Sequence, residues 1–172
     1  MVNIFKAYDN GTLFIHQHSV RCALGKGGVR LAHEKREGDG ATPLGLWPIR
    51  YVFYRSDRLA TPQTRLKTIP LSPFDGWCDD VTSPDYNRHV RLPFALSHET
   101  LWREDHVYDL VAVLGHNDDP VVSGLGSAIF LHLARETYAP TEGCVALAQG
   151  DFIDLLKAAD PESALEIRAF AG

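Results

Sequence analysis

A cysteine delivered by a glycine is the first candidate for chemistry in this chain. The stretch from Gly126 to Leu147, GSAIFLHLARETYAPTEGCVAL, carries His132 inside an apolar run and Gly143-Cys144 after a polar excursion. A thiol is mostly protonated at neutral pH and attacks better beside an imidazole. Gly143 lacks a Cβ, so it can adopt positive φ and let a carbonyl approach the sulfur. Backbone N–H groups around such a turn can receive an oxyanion. Cys144 as nucleophile, His132 as base and Gly143 as the turn residue would together perform acyl transfer. The same residues also fit a satisfied core histidine and an inert buried thiol, and spacing by itself does not separate the two.

The elements that must hold these residues read as strands. Ser127 to Leu133 is a short apolar run with β-branched and aromatic members, bounded by turn signals, the pattern of a buried strand. Val107 to Leu114 is another, followed by the polar cluster His116-Asn117-Asp118-Asp119, which suits either a pocket edge or a turn before Pro120. Thr12 to His18 and Val20 to Leu24 read as a hairpin, with His16 and His18 on one strand face. Zinc needs three or four ligands, so this pair reads as a polar surface and no metal is expected. Leu46 to Tyr54 alternates through Trp47, Ile49, Tyr51 and Phe53, with Pro48 marking an edge or bulge.

The intervening segments are less regular. Glu34 to Gly45 is turn-rich, and its GDG lacks the spacing of a phosphate-binding loop. Ser56 to Val90 is rich in proline and holds little regular structure, yet Trp77 and Tyr86 argue for an ordered lid or pocket wall. Ser97 with Glu99 behind it reads as the capped start of a short helix. A second helix is expected over Gln149–Ala159, stopped by Asp160-Pro161, before a final strand from Ala164 to Phe170. The sum is a mainly β fold in one domain spanning 1–172, with two short helices.

Composition narrows the function classes. The 172 residues are 45% hydrophobic and 23% charged, with a net charge of −5. There is no dense Lys/Arg block, which argues against nucleic acid or an anionic membrane as the main partner. Three scattered cysteines without a CxxC fit reduced thiols. No stretch has the length of a membrane span. The opening MVNIFKAYDNG has no apolar core of signal-peptide length. A cytoplasmic location is therefore expected, or a periplasmic one if the chain is a processed form.

Four blocks in order resemble the L,D-transpeptidase catalytic domain superfamily, also called YkuD-type: GDGATPLGLWPI, DGWCDD with YNR, LWREDHVYDLVAVLGHN, and GSAIFLH followed by TEGCVAL. They run from about Gly38 to Leu147. The resemblance implies a β-sandwich-like domain that needs no cofactor, with Cys144 as nucleophile and His132 as base, its ring held by a backbone carbonyl. Glu142 and Ala146 stand where relatives often have histidine and arginine. The implied substrate is a peptidoglycan stem peptide or muropeptide, cut between the L-centre of the third-position diamino acid and D-alanine through a Cys144 thioester. Substrate contacts are expected from Thr141, Glu142, Trp77, Tyr86, Asn87, Arg88 and Asn117. Water as acceptor gives an L,D-carboxypeptidase of murein recycling, the outcome expected in a cytosol without polymeric murein. An amine gives a transpeptidase or D-amino-acid exchange, and a domain that only binds cell-wall peptide is the remaining alternative.

Overall fold

The computed structural model describes residues 2–172, and the chain begins with three strands whose order in space matches their order in sequence. β1 (Ile4–Tyr8), β2 (Thr12–Ile15) and β3 (His18–Ala23) form an antiparallel meander. The hairpin turn falls on His16 and Gln17, so the strand stops at Ile15 rather than running to His18. His16 takes φ 55° there. The two histidines do not share a strand face. Among the described residues no group of three or more His, Cys, Asp or Glu side chains is placed to hold a metal ion.

β4 (Val29–Leu31) leads to β5 (Thr42–Tyr54), the longest strand. β5 pairs in parallel with β4 over Thr42–Leu44 and changes its antiparallel partner along its length. Its first half pairs with β13 (Ala164–Arg168), and its second half with β10 (Leu110–Leu114). Pro48 sits at the changeover, where it needs no ladder N–H, and the β5–β10 register shifts there between Val113 and Leu114. β10 continues through β11 (Phe130–Leu133) and β12 (Val145–Leu147) to β3. The ten-stranded sheet thus curls back on itself, with β6 (Thr68–Pro70) added to β5. Its inner faces enclose a core of Phe5, Leu13, Ile49, Leu110, Leu131 and Leu147, in the manner of a β-sandwich.

A second, three-stranded sheet has β7 (Asp75–Cys78) between β8 (His89–Arg91) and β9 (His98–Thr100). Two expectations are corrected here. The Ser56–Val90 segment contains β6, β7 and the start of β8. Runs of three or four residues show too little alternation to read. The helix expected at Ser97 is instead β9, where Glu99 lies opposite Trp77. The Ser97 hydroxyl donates to Asp79 at 2.6 Å rather than capping a helix; strand pairing has overridden the local signal. One helix remains among the described residues, α1 (Gln149–Ala158), which buries Phe152, Leu155 and Leu156. Among the described residues no helix is long and apolar enough to cross a membrane.

Candidate active site

A turn tied down on both sides fixes Cys144. β11 and β12 run parallel, with His132 opposite Ala146, so Cys144, which precedes β12 by one residue, is brought toward His132. Thr141 closes the turn: its hydroxyl donates to the Cys144 carbonyl at 2.6 Å and accepts the Gly143 N–H at 3.1 Å. The Thr141 backbone bonds to Leu24 and Lys26 beyond the end of β3. Gly143 has φ 132°, and a Cβ there would lie 2.9 Å from the Ala41 carbonyl oxygen. The turn-rich GDGATP segment is therefore the floor against which the cysteine turn is pressed, and only glycine fits.

The sulfur is held by the strand before it. Cys144 donates its thiol proton to the Ala128 carbonyl at 3.2 Å, and the Phe130 N–H donates to Sγ at 3.4 Å. Burial pushes the thiol up to about 12, with the nearby charge of Glu99 adding to the rise. His132 bonds the Leu133 carbonyl through Nδ1 at 2.9 Å. A carbonyl can only accept, so Nδ1 carries the proton and Nε2 keeps its lone pair. Burial lowers the imidazole to about 4; the Leu133 bond opposes this, and Arg103 and Arg135 reinforce it. Both groups thus rest neutral at physiological pH. The arrangement suits an imidazole that takes the thiol proton during attack, not a preformed thiolate–imidazolium pair.

Cys144 and His132 line a cleft of about 400 Å³ together with Thr141, Glu142 and Ala146. Tyr108 packs edge-on against His132, ring centroids 5.4 Å apart, and donates its hydroxyl to Glu99 at 2.8 Å. Arg103 stands over the Tyr108 ring. Glu142 is exposed and paired with Lys26 at 2.8 Å, a contact worth little in solvent.

The other expected contact residues lie elsewhere. Trp77, Asn87 and Arg88 border a separate hollow of about 360 Å³ that also touches Ile129 and Phe130. Tyr86 and Asn117 line neither space. Asn87 is a hub with φ 57°. Its Oδ1 accepts from Trp77 Nε1 and the Ala128 N–H, both at 3.0 Å, and its Nδ2 donates to the carbonyls of His116 and Asn117. Because the Ala128 carbonyl receives the thiol, Asn87 positions the residue that positions the sulfur. The Tyr86 hydroxyl donates to Glu37 at 2.6 Å and accepts the Gly126 N–H. Asn117 ties together the backbones of Val122 and Gly126.

Asn87→Ala is expected to strand three buried partners and one half-buried one and to destabilise the fold by about 2–4 kcal/mol. Urea unfolding checks this, and an unchanged midpoint would remove Asn87 from its role as hub.

Among the cleft residues that escaped the sequence reading are five charged side chains and a phenol: Glu37, Asp79, Glu99, Arg103, Arg135 and Tyr108. They come from five separate segments, and only the fold brings them to one place. Glu99 was read as a first-turn residue of a helix capped by Ser97, and that reading gave it no place in a site.

The family model described as YkuD, L,D-transpeptidase catalytic domain, matches residues 3–167. A search of curated proteins found no match to the chain.

Proposed function

Because the chain belongs to the L,D-transpeptidase catalytic domain family and so is an L,D-transpeptidase-type enzyme with peptidoglycan as its substrate, we propose that it works by cysteine acyl transfer and releases D-alanine from stem peptides with water as acceptor. The observation that carries the mechanism is the shared cleft: a thiol aimed by Ala128 and Phe130, and a histidine whose Nε2 is left free by the Nδ1 bond to Leu133.

The substrate carbonyl follows the third-position L-centre. Cys144 Sγ attacks it while the thiol proton passes to His132 Nε2. The Gly143 N–H is engaged by Thr141, so the Cys144 amide serves as the oxyanion donor. The carbon–nitrogen bond then breaks, the imidazolium returns its proton to the departing D-alanine amine, and a thioester remains. Water gives one proton to Nε2 and its hydroxide to the thioester carbonyl. The tripeptide carboxylate leaves and the thiol is restored.

Water is favoured over an amine by the charge of the cleft. Glu37, Asp79 and Glu99 line it without an ion-pair partner among the described residues. A primary amine among carboxylates stays protonated, and an ammonium has no lone pair with which to attack. Mass spectrometry of the protein with a tetrapeptide muropeptide, with and without excess D-methionine, tests the acceptor. Loss of D-alanine alone is expected. Dominant D-methionine exchange or dimer formation would make amine transfer the correct reading.

A further inference from the structure

Lys35 is only 2% exposed, yet no step of the reaction uses it. A buried ammonium needs partners. Its Nζ donates to the Asp39 carboxylate and, at 2.8 Å, to the Arg36 carbonyl. Asp39 holds more than the lysine. Its Oδ2 accepts the Arg36 N–H at 2.8 Å, and its Oδ1 accepts the Ala41 N–H at 2.9 Å. The Lys35 stem packs against Gly126, where a Cβ would lie 3.2 Å from the lysine Cγ. The pair is thus seated between the approach to β11 and the floor of the cysteine turn. Ala41 carries the carbonyl that presses on Gly143, and the neighbouring Thr42 hydroxyl accepts the Gly25 N–H at 2.8 Å. A buried ion pair gives little net stability over apolar groups of similar volume. What it supplies here is direction, because its carboxylate fixes the Ala41 peptide in one orientation.

We propose that Lys35 and Asp39 are positioning residues: their ion pair fixes the Ala41 peptide, and Ala41 holds the Gly143–Cys144 peptide so that the Cys144 N–H points at the forming oxyanion. This rests on the catalytic reading given above. Gly143 has φ 132° and no side chain of its own to hold that peptide. Thr141 grips it on one side, and the Ala41 carbonyl blocks it on the other. The sulfur is anchored separately, by Ala128 and Phe130. Releasing the floor therefore misplaces the oxyanion donor while the thiol stays where it is. Chemistry separates the two effects. Acyl transfer builds negative charge on a carbonyl oxygen and needs the donor. Iodoacetamide is attacked at a saturated carbon: a carbon–sulfur bond forms as iodide leaves, the thiol proton is lost to solvent, and no oxyanion arises.

The test uses Lys35→Met combined with Asp39→Ala. Both charges go together, so neither is left buried without a partner, but the Ala41 N–H loses its acceptor. This double variant should lower kcat for D-alanine release about 10–100-fold, the scale of a misplaced catalytic group. KM should stay within about threefold and iodoacetamide labelling of Cys144 within about twofold, since substrate binding and the sulfur are untouched. Asp39→Asn keeps an oxygen for the Ala41 N–H and should recover at least about fivefold of the lost kcat. If the double variant does not fold, Asp39→Glu serves in its place: it keeps the charge beside Lys35, moves the acceptor off Ala41, and should show the same fall. An unchanged kcat overturns the proposal. So does a fall accompanied by faster labelling, which marks general loosening, or a fall that Asp39→Asn does not reverse. The nitrogen–proton NMR resonance of Cys144 reports the peptide without turnover. It should shift in the double variant and return toward its original position with Asp39→Asn. If the unmodified protein releases no D-alanine while the resonance behaves this way, the catalytic reading falls and the anchoring stands. If the unmodified protein does release D-alanine and the resonance stays unmoved in the double variant, the anchoring alone falls.

Discussion

Replacing Cys144 with alanine is expected to abolish D-alanine release while the protein remains folded. The side chain is nearly buried, but it is small. Its two hydrogen bonds are weak thiol contacts with Ala128 and Phe130, so truncation leaves a minor void and costs little compared with losing the nucleophile. Removing a covalent nucleophile lowers turnover by orders of magnitude, about 10⁴-fold or more. Turnover within about tenfold of the unmodified protein would sink the assignment. Cys22 and Cys78 are the internal controls, since both are buried thiols with neither the glycine turn nor His132 beside them. Alanine at either should leave the rate within about twofold, as for a residue outside the reacting centre.

Substituting His132 with glutamine should lower the rate by about 10²–10⁴, the scale of losing a general base. The pH profile of the unmodified protein gives an independent check. Because the imidazole is lowered to about 4, the base is already neutral across the mildly acidic range. The rate should therefore hold down to about pH 5 and fall only as His132 protonates near 4. An acid limb at the ordinary histidine value of 6.5 would mean that the ring is better solvated than its burial indicates. Alkylation of Cys144 should be slow at neutral pH and accelerate as pH rises toward its value of about 12, since only the thiolate reacts. With glutamine at 132, alkylation at neutral pH should slow further, because no base then takes the thiol proton as the sulfur attacks. An unchanged curve would remove His132 from the role of base.

The candidate pair was readable because His132 sits on a strand and Cys144 directly precedes one, both strands with apolar character visible over several positions. Leu131 and Val145 announce β11 and β12, and Gly143 announces the turn. The sandwich-like fold was legible from the same alternation together with the family resemblance. The cleft walls were not. Glu99 faces the site because β9 pairs with β7, a long-range choice that no window of sequence contains. The same limit explains Tyr86, Asn87 and Asn117, whose polar side chains suggested ligand contacts. Tyr86 and Asn87 spend hydrogen bonds on groups far away in sequence, and Asn117 spends its own on the backbone of Val122 and Gly126. A polar residue in a long loop can be an anchor as easily as a contact, and only its partners decide which.

The pairing of β1 with β13 sets when this enzyme can exist. Ile4 to Tyr8 lie in parallel register with Ala164 to Arg168, and those residues in turn join β5. During synthesis β1 emerges early and waits with one edge unpaired until the final strand arrives. β5 likewise lacks its partner over Gly45 to Pro48 for the same interval. Two open edges on a growing chain are templates for wrong pairing, and contacts this distant in sequence close slowly. Cys144 is therefore translated before the sheet that holds its turn is complete, so a ribosome-bound chain stopped short of Ala164 would carry the candidate nucleophile but not the finished scaffold around it.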